Sequence, residues 1–321
     1  MTVGDIVSAT PVSEEGQHAF SPERAKKIEG RSPWRLALER LRRDRASVIS
    51  LAVIVLVVAM ALAAPLVAAI TGHGVYEQFR TIGLSPDGLP QAPNSTFWLG
   101  TDDQGRDVLV RIAYGARISL LVGVVATALT VAIGTIIGLA AGYFGKIVDT
   151  VLARLIDVVL SIPFLLFAIS LASVVGPSLK IVIIVLAAFG WSSVARIVRG
   201  QVLSIREREY VEAARSLGSG PWRIMFIDIL PNVIAPIIVY TTLLIPVSIV
   251  GEASLSFLGV GVLPPTADWG QMIAEASQYY RAAWWFLVFP SLALLVTTLA
   301  FNIFGDGVRD AFDPRGDRLF N

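Results

Sequence analysis

REREYVEAARSLGSGPWRIMFIDILP, residues 206–231, is a charged interlude that follows one uncharged apolar block, Ile181–Ala195, and runs into another, Ile229–Gly251. Within it, Tyr210, Ala213, Ala214 and Leu217 recur at i, i+3, i+4 and i+7, which makes one apolar stripe on a short helix. Arg208, Glu209, Glu212 and Arg215 fall off that stripe. Gly218 is placed to end the helix in a left-handed turn. Gly220-Pro221 then starts a second helix, with proline at its first position. The stretch therefore reads as helix, sharp turn, helix, held at a membrane surface between two spans. Such an element can serve as a rigid lever set into a partner's groove. It can equally be an interfacial helix closed by glycine, and periodicity leaves both readings open.

Outward from this loop the chain is membrane sequence. A span needs roughly 20 apolar residues. Ala46–Ile70, Ile118–Phe144, Val158–Leu179, Ile181–Ala195, Ile229–Gly251 and Ala282–Gly305 are six such blocks. The fourth is short and extends past Arg196 if that side chain snorkels to the interface. Helices are expected, because backbone groups in lipid must be satisfied internally. Residues 24–45 hold nine Lys and Arg and residues 196–223 hold six, whereas 259–283 holds only Arg281. The long segment 71–117 holds four, against five acids. By the positive-inside rule both termini and the 206–231 loop are cytoplasmic, and six spans give the same answer.

Composition narrows the function. Of 321 residues, 55% are hydrophobic and 16% charged, against about 25% charged in soluble domains. The net charge of +1 gives no bulk field for nucleic acid. There are no cysteines and two histidines, His18 and His73. Thiolate metal sites, disulfides and histidine-based triads or zinc sites are not expected. None of Lys26, Lys27, Lys146 and Lys180 precedes Ser or Thr, so there is no phosphate-binding P-loop, and any ATP used must sit on another chain. Residues 1–30 are polar and lack an apolar signal region, so no cleavable signal peptide is expected. Trp34–Arg45 reads as a basic amphipathic helix anchoring the inner surface.

The spacing of the opening loop carries more than its periodicity. Glu212-Ala213-Ala214, then Gly218, then Leu230-Pro231, resembles the EAA motif of ATP-binding-cassette importer permeases. Asp228 departs from it, standing where the general motif has Ile. Further segments are similar to dipeptide, oligopeptide and nickel permeases: Phe97-Trp98-Leu99-Gly100-Thr101-Asp102, Gly105-Arg106-Asp107, Gly115-Ala116-Arg117-Ile118-Ser119-Leu120 and Ala141-Gly142-Tyr143-Phe144-Gly145 with Asp149. So are Leu255-Ser256-Phe257-Leu258-Gly259 with Pro264-Pro265 and Trp269-Gly270, and Gly305-Asp306-Gly307 with Arg309-Asp310 and Asp313-Pro314. Together these cover roughly residues 35–315, and the pattern resembles the second, C-type permease subunit of such systems.

The resemblance implies an all-α membrane protein of six transmembrane helices: a type I importer core (spans two to six) plus one extra N-terminal helix. It implies a non-catalytic subunit of an ATP-driven peptide importer in the inner membrane. The expected partners are a second homologous permease subunit, two ATP-binding subunits, an extracytoplasmic solute-binding protein and membrane lipid, but no nucleic acid. ATP and Mg belong to the partner ATPase, with no cofactor or metal in this chain. Coupling to that ATPase is expected from Tyr210, Glu212, Ala213, Ala214, Arg215, Leu217 and Gly218. Nickel chelates or another small solute remain alternative cargoes, because specificity rests largely on the binding protein. The division is then a disordered cytoplasmic tail (1–33), an amphipathic helix and first span (34–70), an extracytoplasmic loop with a surface helix (71–117), a permease core (118–305) containing the coupling loop 200–223, and a cytoplasmic C-terminal tail (306–321).

Several features favour plain structural readings. Gly134, Gly138 and Gly142, four apart, suit close helix packing. Val108, Leu109, Ile112 and Ala116 within 106–117 suggest a helix on the outer surface covering the bundle end. Trp269, Tyr279 and Tyr280 read as an interfacial aromatic belt. Arg154 and Asp157 can pair with each other, Glu252 is read as reaching the outer interface, and Asp306, Arg309 and Asp310 as an inner-surface charge cluster. A secondary transporter would need charges at mid-membrane and an inverted repeat. An intramembrane enzyme would need a catalytic constellation within a span, and a channel a filter motif. None is evident.

Overall fold

The computed structural model describes residues 33–313. The tail readings for 1–32 and 314–321 lie outside them. Pro33–Arg43 (α1) is followed directly by Arg45–Leu62 (α2). Asp44 starts α2 as its N-cap, accepting from the amides of Ala46 at 3.2 Å and Ser47 at 2.9 Å. Hydrogen bonding from the Ser47 hydroxyl, then from its amide, holds the Asp44 carboxyl below the usual range. The first span is broken near its far end. Ala64–Thr71 (α3) follows α2 after Ala63, with Pro65 in its first turn, where the missing N–H costs nothing.

Val108–Phe144 (α4) is one continuous helix of 37 residues, about 55 Å long, well over the roughly 30 Å hydrocarbon core. The second span and the expected surface helix over 106–117 are therefore one element. Asp107 caps it, with Oδ1 2.8 Å from the Leu109 amide. The third span also differs from the sequence reading. Helical structure begins at Lys146 and runs to Ser161 (α5), then turns by 80° into Phe164–Val175 (α6). Pro163 explains the break, since it disfavours helical geometry at Ile162 and lacks an amide hydrogen.

Leu179–Ile205 (α7) outruns its 181–195 block by two turns and more, carrying Arg196 and Arg199 in regular helix. Glu209–Ser216 (α8) lies between it and Pro221–Phe257 (α9), which includes a π-helical stretch at Ile224–Ile229. After Trp269–Ala276 (α10), Trp284–Phe312 (α11) closes the described chain, running past Gly305. Five helices are long and apolar enough to cross a membrane, or six if the bent α5–α6 pair is one span. Among the described residues there is no strand beyond two isolated bridges, Leu84 with Pro90 and Thr101 with Asp107.

The tightest helix pair is α4 against α7, and the glycine stripe makes it. A methyl on Gly138 would lie 2.7 Å from both the Ala195 carbonyl oxygen and Val198 Cβ. On Gly134 it would meet Val194 at 2.5 Å, and on Gly142, Val202 at 2.6 Å. Without a hydrophobic drive between helices in lipid, backbone approach of this kind is what holds such pairs.

Candidate functional site

The loop that opened the sequence forms a built element. α8 begins after Arg208, with Glu209 and Glu212 in its first turn and Arg215 in its last, the charge order that complements the helix dipole. It ends in a Schellman turn: the Ser219 amide donates to Ala214 O at 3.1 Å and the Gly218 amide to Arg215 O at 3.0 Å. Gly218 has φ +79°, a conformation that glycine adopts without steric cost. Pro221 starts α9 immediately after.

The anchoring residue is one the sequence reading missed. Val211 is fully buried and packs in a cluster with Leu139 of α4, Val194, Val198 and Val202 of α7, and Ile224, Ile229, Val233 and Ile237 of α9. Ala214 joins it, one turn on. The predicted stripe points mostly the other way: Tyr210 is 45% and Leu217 86% exposed, and Ala213 is exposed too. Its face is thus split. Val211 and Ala214, at i and i+3, face the bundle, while Tyr210, Glu212, Ala213, Arg215 and Leu217 face away. The signal available was the β-branched Val211 itself, the bulkiest aliphatic residue inside α8.

Polar contacts fix the element to the ends of its neighbours. The Arg215 guanidinium lies over the Tyr143 ring, 5.7 Å from its centroid. Arg206 Nη1 donates to Gly142 O at 3.0 Å, closing the last turn of α4. Trp222 and Phe226 stack at 5.9 Å on the outside of α9, with Trp222 69% exposed. Asp228, the position that departs from the EAA pattern, falls in the π-helical stretch. There its Oδ2 is buried without a hydrogen-bond partner, and its backbone carbonyl accepts from Asn232.

The opposite end of the bundle is held by buried polar groups. Trp269, at 0% exposure, donates its indole N–H to Ile112 O at 3.0 Å, so it belongs to the packed end of the bundle and not to an interfacial belt. Glu252 is likewise fully buried, which corrects the expectation that it reaches the interface. The Ser119 hydroxyl lies 3.1 Å from Glu252 Oε2 and 3.3 Å from Asp268 Oδ1, and Ser256 donates to Glu252 Oε1 at 2.8 Å. One short polar cluster thus joins α4, α9 and the start of α10. Beside it, Asp102 and Glu275 take the buried guanidiniums of Arg106 and Arg111. Burial pushes the Glu275 carboxyl up, against the pull of Arg111 and Arg106. Asp103 is pushed up by burial and then by the charge of Asp102. Carboxylate oxygens of Asp102, Asp103 and Glu275 lie within 4.8 Å of one another, and the guanidiniums of Arg106 and Arg111 supply two countercharges to these three acids.

Asp157 does not pair with Arg154. It meets Arg196 at 2.8 Å, where both side chains are 56% exposed. Asp306, Arg309 and Asp310 are exposed together in the last turns of α11.

Residues 134–318, more than half of the chain, match the model of the binding-protein-dependent transport system inner membrane component. The chain belongs to that family. Residues 32–86 match the N-terminal TM domain of oligopeptide transport permease C. The dipeptide transport system permease protein of Alkalihalophilus pseudofirmus is 39% identical over 88% of this chain and 90% of its own length. The glutathione transport system permease protein of Pectobacterium atrosepticum is 38% identical, covering 89% and 92%. Among solved structures, the inward-facing MetNI methionine ABC transporter aligns with a TM-score of 0.50 at 21% identity, over 64% of this chain and 96% of the other. That likeness places the fold among ABC importer permeases. This member of the transport family is therefore a non-catalytic, membrane-embedded permease subunit of an ABC importer, and the ATPase is a separate subunit. Family membership implies association with an ATPase and a binding protein.

Proposed function

We propose that the chain is one of two homologous permease subunits of a peptide importer, and that α8 is its point of attachment to the ATPase. The carrying observation is the split face of α8. Val211 sets the helix into the apolar cluster that α4, α7 and α9 share, while Tyr210, Leu217 and Glu212 stay exposed. An exposed apolar stripe on an otherwise charged helix is an interaction surface. A helix pinned by one central side chain and stopped by Gly218 passes a push from that surface into the bundle without bending. Tyr210, Glu212, Ala213, Ala214, Arg215, Leu217 and Gly218 are the docking element.

In this reading ATP and Mg act on two ATP-binding subunits below, and their closure drives α8. Motion of α8 tilts α7 and α9 against the partner permease, and the path opens outward to take solute from the extracytoplasmic binding protein. Hydrolysis resets it inward. The chain is a two-state transmitter and does no bond chemistry. The docking side is cytoplasmic, as the Arg-rich flanks of α7 and α8 support. Peptide cargo is supported by the dipeptide and glutathione permeases among the relatives.

Gly218→Val tests the lever. No atom outside its own turn lies within 4 Å of an added Cβ, so the substitution strains the backbone at φ +79° without a packing clash. Uptake of a radiolabelled dipeptide into vesicles holding the assembled importer is expected to fall at least tenfold. Weakened ATPase co-purification, or ATPase turnover no longer stimulated by binding protein, should accompany it. Unchanged uptake together with unchanged ATPase association would overturn the reading.

A further inference from the structure

Between α4 and α5 the chain turns through two residues of positive φ, Gly145 at 62° and Lys146 at 46°. Positive φ is uncommon for a lysine. The turn borders a cavity of about 440 Å³ whose lining includes Tyr143, Phe144, Lys146, Arg206, Glu207 and Arg215. Three cations and one acid face it. Arg206 is already engaged, donating to Glu207 at 2.9 Å and to Gly142 O at 3.0 Å. Arg215 rests over Tyr143, and among the described residues neither it nor Lys146 forms an ion pair. Two cations therefore face this cavity without a countercharge.

Apolar surface adjoins these charges. Phe144, in the lining, is 44% exposed, and on α5 just beyond Lys146, Ile147 is 79% and Val151 59% exposed. A soluble anion would leave that flank bare. A phosphate carrying acyl chains satisfies both halves, with its headgroup between Lys146 and Arg215 and its chains along Ile147 and Val151.

We propose that this cavity binds the phosphate headgroup of an anionic phospholipid from the leaflet that α8 borders. Because Arg215 is on α8, a bound headgroup braces that helix against the α4–α5 turn, and anionic lipid then strengthens coupling. This consequence rests on α8 being the ATPase-docking element. The binding itself does not.

The test uses the assembled importer in nanodiscs of phosphatidylglycerol or phosphatidylcholine. Lipid retained after extraction is counted by native mass spectrometry. Phosphatidylglycerol should be retained, and Lys146→Gln should retain about fivefold less, as expected for one lost surface cation. Lys180→Gln, at the opposite end of α7, should retain it fully. As a check that does not depend on a variant folding, Lys146 of the unaltered importer should be protected from an amine-reactive reagent by phosphatidylglycerol more than by phosphatidylcholine. Equal retention by Lys146→Gln and the parent would overturn the proposal. So would displacement by inorganic phosphate in lipid-poor detergent, which marks a free-anion site, or protection that depends on the ATPase subunits and not on the lipid, which marks a partner's acidic residue. ATP-driven uptake by the parent protein is read in parallel, so loss of the lipid site and loss of the transport reading are told apart.

Discussion

Arg199 on α7 grips both carboxylate oxygens of Asp149 on α5, with Nη2 2.8 Å from Oδ2. The pair is mostly buried, at 30% and 19% side-chain exposure. It is the firmest polar tie between α7, which leads into α8, and the bent third span. Two-point guanidinium–carboxylate contacts carry direction as well as energy. Asp149→Asn keeps the shape but drops the charge, and is expected to lower stability by about 1–2 kcal/mol. The Asp149→Arg/Arg199→Asp swap should recover part of what either single change loses. Thermal unfolding of the detergent-solubilised subunit, arranged as a double-mutant cycle, measures the coupling, and strict additivity would show that the pair does not hold α5.

Gly138 and Val198 make a second pairwise relation open to test. A methyl at Gly138 would lie 2.7 Å from Val198 Cβ and from a backbone oxygen. Gly138→Leu is expected to separate α4 from α7 and leave little folded protein. Gly138→Ala should cost about 1–3 kcal/mol, the usual range for overpacking. Val198→Ala removes only the Cγ1 contact at 3.0 Å, so it should relieve a small part of that in the double variant, because the Ala195 carbonyl and the Cβ at 198 stay in place. Fluorescence-detected size exclusion after a heat step reads both effects.

The six hydrophobic blocks, the EAA spacing and the glycine stripe were legible because each is a local pattern. Their extents were not. Charge-free blocks under-read α7 and α11, since a helix does not stop where lipid does, and Arg196, Arg199 and Asp306 continue it into polar surroundings. The break at Ile162-Pro163 was hidden inside an apolar run. Partners were the least legible layer. Arg154 and Asp157 are neighbours in sequence, yet Arg196, 39 residues away, takes the aspartate. Glu252 looked like an interface residue because its only partner nearby in the sequence is Ser256, one turn on. Ser119 and Asp268, 133 and 16 residues away, are brought to it only by packing of α4 and α10 against α9. Val211 was passed over because the stripe through Tyr210 and Leu217 is the longer run, and that stripe faces away from the core.

The buried ion-pair cluster gives a pH dependence. Burial raises the Glu275 carboxyl above its ordinary value. A raised acid favours folding in its protonated form. Its stabilising contribution is full below the unfolded pKa and is lost as pH rises through the folded one. Melting temperature measured from about pH 4 to pH 7 should therefore carry a falling component from this residue, and Glu275→Gln should remove it. Asp102→Ala is different in kind. It strips the fully buried Arg106 and Arg111 of a shared partner, and is expected to cost about 3–5 kcal/mol at any pH in that range.

The absence of cysteine from the sequence makes the orientation and the docking surface testable together. Ser216→Cys places one thiol on the exposed end of α8, and Ser95→Cys one at an exposed position of the 72–107 segment. If α8 is cytoplasmic, a membrane-impermeant maleimide added to intact cells should label Ser95→Cys and leave Ser216→Cys untouched. In inside-out vesicles the pattern should reverse. If α8 is also the docking helix, labelling of Ser216→Cys in those vesicles should be slow in the assembled importer and rise at least tenfold once the ATPase subunits are stripped with urea. Labelling of Ser216→Cys in intact cells would invert the topology. Labelling indifferent to the ATPase would leave α8 an ordinary interfacial helix, and its exposed Tyr210–Leu217 stripe would then belong to lipid.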